Sequence, residues 1–521
     1  MALNDLLNLH DAPRSLRTEG VKLAISAVFL VLIYAIVDRY YGDLHEGFLL
    51  VIAAVIGGYM AMNIGANDVA NNVGPAVGSR ALTLTGAILI AAIFEASGAL
   101  IAGGDVVGTI KKGIIDPGFL NDADSFVWLM MAALFAGALW LNIATAMGAP
   151  VSTTHSIVGG VLGAGIAAGG MDVANWPKMG AIAASWVISP VIGGVIAAAF
   201  LYLIKRTITY KKDKRAAASR IVPLLVAAMA WAFSTYLILK GLKKIWKVEF
   251  GLALMIGLAI AVAIYLLIRP RIGRAAANLP TDKASINKLF TIPLIFAAGL
   301  LSFAHGANDV ANAVGPLAAI NDAIIHGGIA KKAAIPLWVM LIGAIGIAIG
   351  LALYGPKLIR TVGSEITDLD QQRAFCIAMA AAITVIIASQ LGLPVSSTHI
   401  AVGAVFGVGF LREFLKTNYA IMIEEIKTHH EGEEQTVVIS FLREFEQASV
   451  ERRGQMLKEL KARRKEAELT KKDRKRLKKL YRHELVKRST FMRIVAAWVI
   501  TVPASGIMAA MLYYMIRGMM L

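Results

Sequence analysis

Apolar runs of about 20 residues, the length that carries a helix across a bilayer, recur along this whole chain, and nothing else in it narrows the choice of fold so much. A water-soluble domain alternates apolar and polar positions with a helical or strand period. VKLAISAVFLVLIYAIV, residues 21–37, carries no charge after Lys22 and so offers no polar face. Roughly thirteen such segments begin near residues 21, 47, 81, 126, 151, 180, 221, 248, 288, 333, 374, 395 and 492. Lipid demands that each backbone polar group be satisfied internally, which for segments of this length means helix. The chain therefore reads as an all-α polytopic membrane protein of about 12–13 membrane segments. The first segment is too long, and its flank too unlike a small-residue cleavage site, for a removed signal peptide. Residues 1–20 are read as a cytoplasmic tail and 21–46 as an additional N-terminal membrane segment.

The formal charge of +17 would suit nucleic acid if it were spread over a surface, but it is concentrated in loops. Residues 452–493 hold 18 Lys/Arg against 5 Asp/Glu, and KRTITYKKDKRAAASR, residues 205–220, holds 7 against 1. These loops follow the twelfth and sixth segments, and RPRIGR, residues 269–274, follows the eighth, so all three fall on one side. The positive-inside rule places them and the N-terminus in the cytoplasm of a multi-pass cell-membrane protein. LKKIWK, residues 242–247, would then lie outside, against the rule. Topology accounts for most of the basicity, and no nucleic-acid partner is expected. The single cysteine, Cys376, excludes a disulfide framework and a thiolate metal cluster.

The chain also repeats itself. NIGANDVANNVGP (63–75) returns as FAHGANDVANAVGP (303–316), GAPVSTTHSIVGG (148–160) as GLPVSSTHIAVGA (392–404), and WVISPVIGG (186–194) as WVITVPASG (498–506). The order is the same each time, as expected of one unit occurring twice. Residues 47–204 form the first repeat and 286–521 the second, joined by the basic loop and two linking helices of 205–285. Seven segments separate the two copies of the opening motif. An odd number makes the repeats enter the membrane from opposite sides, the inverted arrangement of secondary transporters with a site near the midplane. That inference rests on the span count, which a re-entrant hairpin at the PVSTTH motif would alter. The second repeat carries an insertion at 413–491, charged and Leu-containing, read as a solvated cytoplasmic helical appendage that could dock a regulatory partner or anionic lipid.

Each GANDVAN copy is expected in a broken helix lining a polar cavity. Asn67, Asp68 and Asn71 share a helical face, and Asn308, Asp309 and Asn312 repeat the spacing. Amide and carboxylate oxygens are hard ligands for a hard cation, whereas a purely structural role would use them to pin two helices. Glu95, inside the apolar AAIFEASGAL, is a further candidate cation ligand or proton carrier without a counterpart in the second half. The PVS[ST]TH copies suit the opposite charge. Pro150 and Pro394 stand where a helix would start, with Ser152, Thr153, Thr154 and Ser396, Ser397, Thr398 in its first turn. Free N–H groups, partial positive charge and hydroxyls make an anion cradle without Lys or Arg. His155 and His399 close the runs and are expected to support hydroxyls or helix ends from a second layer.

Together GANDVANNVGPAVGSRALT, IFEASGALIAGGDVVGTIKKGIID, GAPVSTTHSIVGG and GLPVSSTHIAVGA…WVITVP resemble the inorganic phosphate transporter (PiT) family. The similarity covers nearly the whole chain apart from the first segment and the 413–491 insertion. It implies symport of inorganic phosphate with a cation through two inverted repeats. Sodium would sit at the Asn/Asp residues and phosphate at the hydroxyls, with no other cofactor and no enzymatic activity. The motifs are nearer to the sodium-dependent branch than to the proton-coupled bacterial GFHDTANA pattern, which only His305 hints at. Asn72 stands where the second copy has Ala313.

A proton-coupled phosphate or metal–phosphate symporter and a sulfate permease are the alternatives on this scaffold; monohydrogen phosphate can donate a hydrogen bond to a buried carboxylate, and sulfate cannot. A membrane-embedded hydrolase would need a Ser–His pair on a nucleophile elbow, but Ser152 and His155 are neighbours on one turn. A receptor built on the insertion would respond to ligand without flux. No P-loop pattern occurs, so ATP would have to act through another subunit. A homodimer is an admissible assembly.

Overall fold

The computed structural model describes residues 2–120, 122–241, 248–280, 282–326, 335–365, 369–428 and 488–521. The expected 413–491 appendage lies mostly outside them. Every main element is a helix, and no strand occurs among the described residues beyond one bridge, Ile115 to Ala174. Among the described residues, twelve helical stretches are long and apolar enough to cross a bilayer.

Helix α1 (Ala2–Tyr41) lies against α2 (Gly47–Gly78) through Ser26, Phe29, Ile33 and Val37, one face at helical spacing. Then come α3 (Leu84–Ala102), the short α4 (Gly104–Lys112), α5 (Ala123–Ala146), α6 (Thr153–Gly169) and α7 (Trp176–Ile204). Helices α8 (Lys214–Gly241) and α9 (Phe250–Ala277) pack on each other and link the halves. After the short α10 (Lys283–Lys288), the second half runs α11 (Thr291–Asp309), α12 (Ala311–His326), α13 (Leu337–Glu365), α14 (Gln371–Gln390), α15 (Ser397–Thr428) and α16 (Arg488–Met520).

The halves interleave. Helix α2 packs on α13, α3 on α11, α6 on α16 and α7 on α15. Membrane helices gain little from burying apolar surface against one another, so close backbone approach has to hold them. Glycines supply it in matched pairs. A Cβ on Gly65 would overlap the Ile347 carbonyl and one on Gly350 the Met62 carbonyl; likewise Gly306 faces Glu95 and Gly98 faces Phe303. Gly65 and Gly306 hold the same place in the two copies of the opening motif.

Two expectations need correction. The GANDVAN copies do not break their helices. α2 runs through the first, with Pro75 in its closing turns, and the second is interrupted only at Val310, whose φ −56° and ψ −30° stay helical. The irregular backbone lies instead in the turns after α5 and α14. There Gly148 (φ +72°) and Gly392 (φ +63°) take the left-handed conformation that glycine adopts freely. Ala149 N–H closes on the Ala144 carbonyl and Leu393 N–H on the Ala388 carbonyl, so each helix ends in a Schellman motif. Pro150 and Pro394 therefore follow a helix end rather than begin a helix. The next helix starts three residues on, capped by Ser152 or Ser396, whose Oγ accepts from His155 N–H (3.1 Å) or His399 N–H (3.2 Å).

Helices α5 and α6 thus form a hairpin. Its open ends are tied side by side where Asp116 N–H donates to the Val173 carbonyl (2.8 Å) and Asn175 N–H to the Ile114 carbonyl (3.0 Å). Helices α14 and α15 form the corresponding pair, and the two tips touch. Thr154 Oγ1 donates to the Val395 carbonyl (3.0 Å), and Thr398 Oγ1 lies 3.3 Å from the Val151 carbonyl. Such reciprocal contact is what a two-fold relation between the halves requires.

Candidate functional site

The two tips and the two GANDVAN faces meet at one place. All four side chains Asp68, Asp309, Glu95 and His305 have no solvent exposure. Hydroxyls hold each aspartate, that on Asp68 from the opposite half and those on Asp309 from both halves. Thr398 Oγ1 donates to Asp68 Oδ1 (2.8 Å), Ser397 Oγ donates to Asp309 Oδ2 (2.8 Å), and Thr154 Oγ1 stands 3.5 Å from Asp309 Oδ1. Asn71 Nδ2 donates to Thr398 Oγ1 (2.8 Å), while Asn312 Nδ2 donates to Thr153 (3.1 Å) and Thr154 (3.2 Å). The expected cation residues and anion residues are therefore one cluster, assembled across the halves.

Asn67 and Asn308 do something different within their own motifs. Asn67 Nδ2 donates to Thr145 Oγ1 (2.9 Å) and its Oδ1 accepts from Val151 N–H (3.1 Å), which fixes the first tip. The Asn308 amide lies 2.8 Å from Ser389 Oγ, the hydroxyl equivalent to Thr145. These residues position the tips beside the carboxylates. Ser152 and Ser396 accept as caps.

His155 and His399 face aromatic rings. His155 lies 3.8 Å from the Trp186 ring and 4.3 Å from His399, and His399 stacks on Trp498 at 3.6 Å. Trp186 Nε1 in turn donates to the Pro394 carbonyl (3.2 Å). The two tryptophans are the matched residues of WVIS and WVIT, so the third repeated motif props the turns of the second.

Three residues that break the repeat are joined. Glu95 Oε1 accepts from Asn72 Nδ2 (2.8 Å), and Glu95 Oε2 lies 3.1 Å from His305 Nδ1. His305 Nε2 lies 2.8 Å from Asp309 Oδ2 and 3.5 Å from Asp68 Oδ2. Asn72 and His305 carry no role in the repeat pattern; the signal for them was the difference between copies, Asn72 against Ala313 and His305 against Ile64. Also unforeseen is a buried ion pair, Lys111 with Asp322, joining α4 to α12.

Three carboxylates against one imidazole leave this buried cluster short of positive charge, a costly state in a low-dielectric interior. Asn71 Oδ1 and Asn312 Oδ1, equivalent atoms of the two halves, have no hydrogen-bond donor among the described residues. Ligand atoms of Asp68, His305 and Asp309 lie within 4.8 Å of one another, close enough to share one ion. Buried oxygens lacking donors beside carboxylates fit a hard cation. A cavity of approximately 740 Å³ is bounded by Lys22 and Ser26 of α1, Asn63 and Ala66 of α2, Thr145 of α5 and Lys357 of α13.

Residues 64–509 match the Phosphate transporter family. A Helicobacter pylori (strain J99) protein named "Putative phosphate permease" is 52% identical over 98% of both chains. A relative of the same description from Pyrococcus abyssi is 38% identical over 72% of this chain and 91% of its own. Among solved structures, one titled "The sodium-dependent phosphate transporter" superposes with a TM-score of 0.73 at 31% identity, covering 90% of this chain and 99% of that one.

Proposed function

The chain belongs to the phosphate transporter family, and from that premise we propose that it is a secondary transporter carrying inorganic phosphate with a cation, sodium first, across the cell membrane. The observation that carries the coupling is the negative excess of the buried Asp68, Asp309 and Glu95. An oxyanion cannot approach such a cluster alone, because like charges a few ångströms apart repel strongly where water is excluded. A cation held by Asp68 and Asp309, with the free oxygens of Asn71 and Asn312, turns the site from anion-repelling to anion-accepting. Phosphate is then received by the hydroxyls of residues 152–154 and 396–398 and by the starts of α6 and α15, whose N–H groups favour negative charge. Each ligand raises the affinity for the other, which is the thermodynamic content of symport. Asn67 and Asn308 hold the tips, and His155 and His399 brace them.

The opposite entry of the two repeats is part of this reading. It is supported by the reciprocal contacts and by chain parity. Counting the α5–α6 hairpin as re-entrant removes two crossings together, which leaves the number between α2 and α11 odd. The two tips then reach the midplane from opposite faces, and the α1-lined cavity opens toward the cytoplasm.

A second reading has His305 carry the coupling charge as a bound proton, favoured by its place 2.8 Å from Asp309 and 3.1 Å from Glu95. Proteoliposomes decide between them. Concentrative uptake of labelled phosphate driven by an inward sodium gradient at equal pH supports sodium; uptake driven only by a proton gradient transfers the role to His305. Uptake of sulfate in preference to phosphate, or uptake under neither gradient, would sink the proposal.

A further inference from the structure

A second polar cavity, sharing no residue with the central cluster, lies where α7, α14 and α15 come together. It has a volume of about 220 Å³ and is lined by Lys205, Thr209, Asp370, Gln372, Arg373 and Arg412. Three cations meet one carboxylate there. Arg373 pairs with Asp370 at 3.2 Å, and Asp370 is also the N-cap of α14. Arg412 is only 7% exposed and Gln372 3%. Lys205 and both arginines also have partners on the protein.

The backbone adds two signs. The end of α7 winds into a π-helix, Lys205–Thr209, a form that occurs mostly as single turns and frequently at functional sites. That turn carries both Lys205 and Thr209 into the cavity. Thr209 Oγ1 is buried and has no hydrogen-bond partner among the described residues. A buried hydroxyl without a partner beside two guanidinium groups calls for an acceptor with several oxygens.

We propose that this cavity is a phosphoanion site, receiving the phosphate group of either a free inorganic phosphate ion or an anionic lipid headgroup. Its size is below that of ordinary small-molecule pockets, which suits a single phosphate group. Lys205 opens the basic loop 205–220, so on the topology proposed above the site faces the cytoplasm, where the transported ion is released and where anionic lipid concentrates. Phosphate binding here does not depend on the central site being a transport site.

The test uses the purified full chain and the variants Thr209→Val and Arg373→Gln, each also in an Asp68→Asn background that silences the central cation site. Labelled inorganic phosphate is titrated onto delipidated protein, and native mass spectrometry counts retained phosphatidylglycerol against phosphatidylcholine. Both variants are expected to weaken one of these ligands by about fivefold or more, the worth of roughly one hydrogen bond. Loss of a phosphate-binding class that persists in Asp68→Asn identifies free phosphate; selective loss of phosphatidylglycerol identifies the headgroup. Unchanged phosphate affinity together with unchanged lipid retention in both variants overturns the proposal. If Arg373→Gln proves poorly folded, Thr209→Val, nearly isosteric, decides alone. Persistent binding in every Asp68→Asn protein but equal in variant and parent would count against this cavity rather than against the transport reading.

Discussion

Asp68 and Asp309 occupy the same place in their copies but have different neighbours. Asp68 accepts from Thr398 of the opposite tip and Asp309 from Ser397 of its own half, and only Asp309 has His305 at 2.8 Å. Asp309→Asn removes the charge nearest the imidazole, and Asp68→Asn removes the charge with the more open oxygen. Each is expected to lower sodium-driven phosphate uptake by about 10-fold or more, since coupling free energies run to roughly 1–3 kcal/mol, while the protein stays monodisperse in detergent. Wild-type uptake by both purified variants would remove the carboxylates from the cation site. The pair Lys111–Asp322 permits a cleaner test of energetics. Lys111 is 6% and Asp322 1% exposed, so Lys111→Met strands a buried carboxylate and should cost about 3–5 kcal/mol, read as lost thermal stability. The double variant Lys111→Met, Asp322→Leu should recover most of it. A double variant no more stable than the single one would mean that the pair is not held by mutual charge compensation.

Between helices, small residues set the distances. The α2–α13 and α3–α11 contacts rest on Gly350, Gly65, Gly98 and Gly306 against backbone carbonyls, with no space for a methyl group. Gly350→Ala must push α13 away from Met62 of α2, and with it the surroundings of Asn63 and Asp68. Its thermal midpoint in detergent should fall clearly below that of the parent. Gly108→Ala, where a Cβ meets nothing within 4 Å, should be neutral or slightly stabilising through helix propensity. Equal effects of the two alanines would show that close packing does not hold these helices. The hairpin turns follow the same local logic, since Gly148 and Gly392 need positive φ to close their Schellman motifs.

For the whole molecule, the interleaving of the halves predicts how the chain sits in the membrane. Asp43, just before α2, and Asn278, just after α9 and ahead of α11, are both exposed. A cysteine at 43 should react with an impermeant thiol reagent from outside intact cells, and one at 278 only after the membrane is opened. The native thiol, Cys376, is fully buried and gives a silent background. Labelling of both positions from one side would refute inverted entry. Deletion of residues 430–485, which lie outside the described helices and beyond α15, should leave uptake intact. Loss of uptake in a deletion variant that inserts and stays monodisperse would make the segment part of the transport machinery.

The solvent, the class of structure and the repeat of motifs are all legible in the order of residues alone. Apolar runs long enough to span a bilayer leave helix as their only economical backbone, and three motifs recurring in order can only be a duplicated unit. That order also marked nearly every side chain of the cluster, because polar residues are rare enough in such runs that each one stands out. Periodicity could not say that Thr398 serves Asp68 or that Thr154 and Ser397 serve Asp309, since these partners are separated by 88 to 330 positions and only Ser397 shares a half with its aspartate. Nor could it separate Asn67, which fixes a tip, from Asn71, whose oxygen is left free, because both lie on one helical face. The continuity of α2 through GANDVAN was equally hidden. Glycine and proline announce a break, but a glycine packed against a neighbouring carbonyl keeps its helix and uses its missing side chain for close approach. Those decisions belong to contact between halves, and contact across hundreds of residues is settled only by the fold.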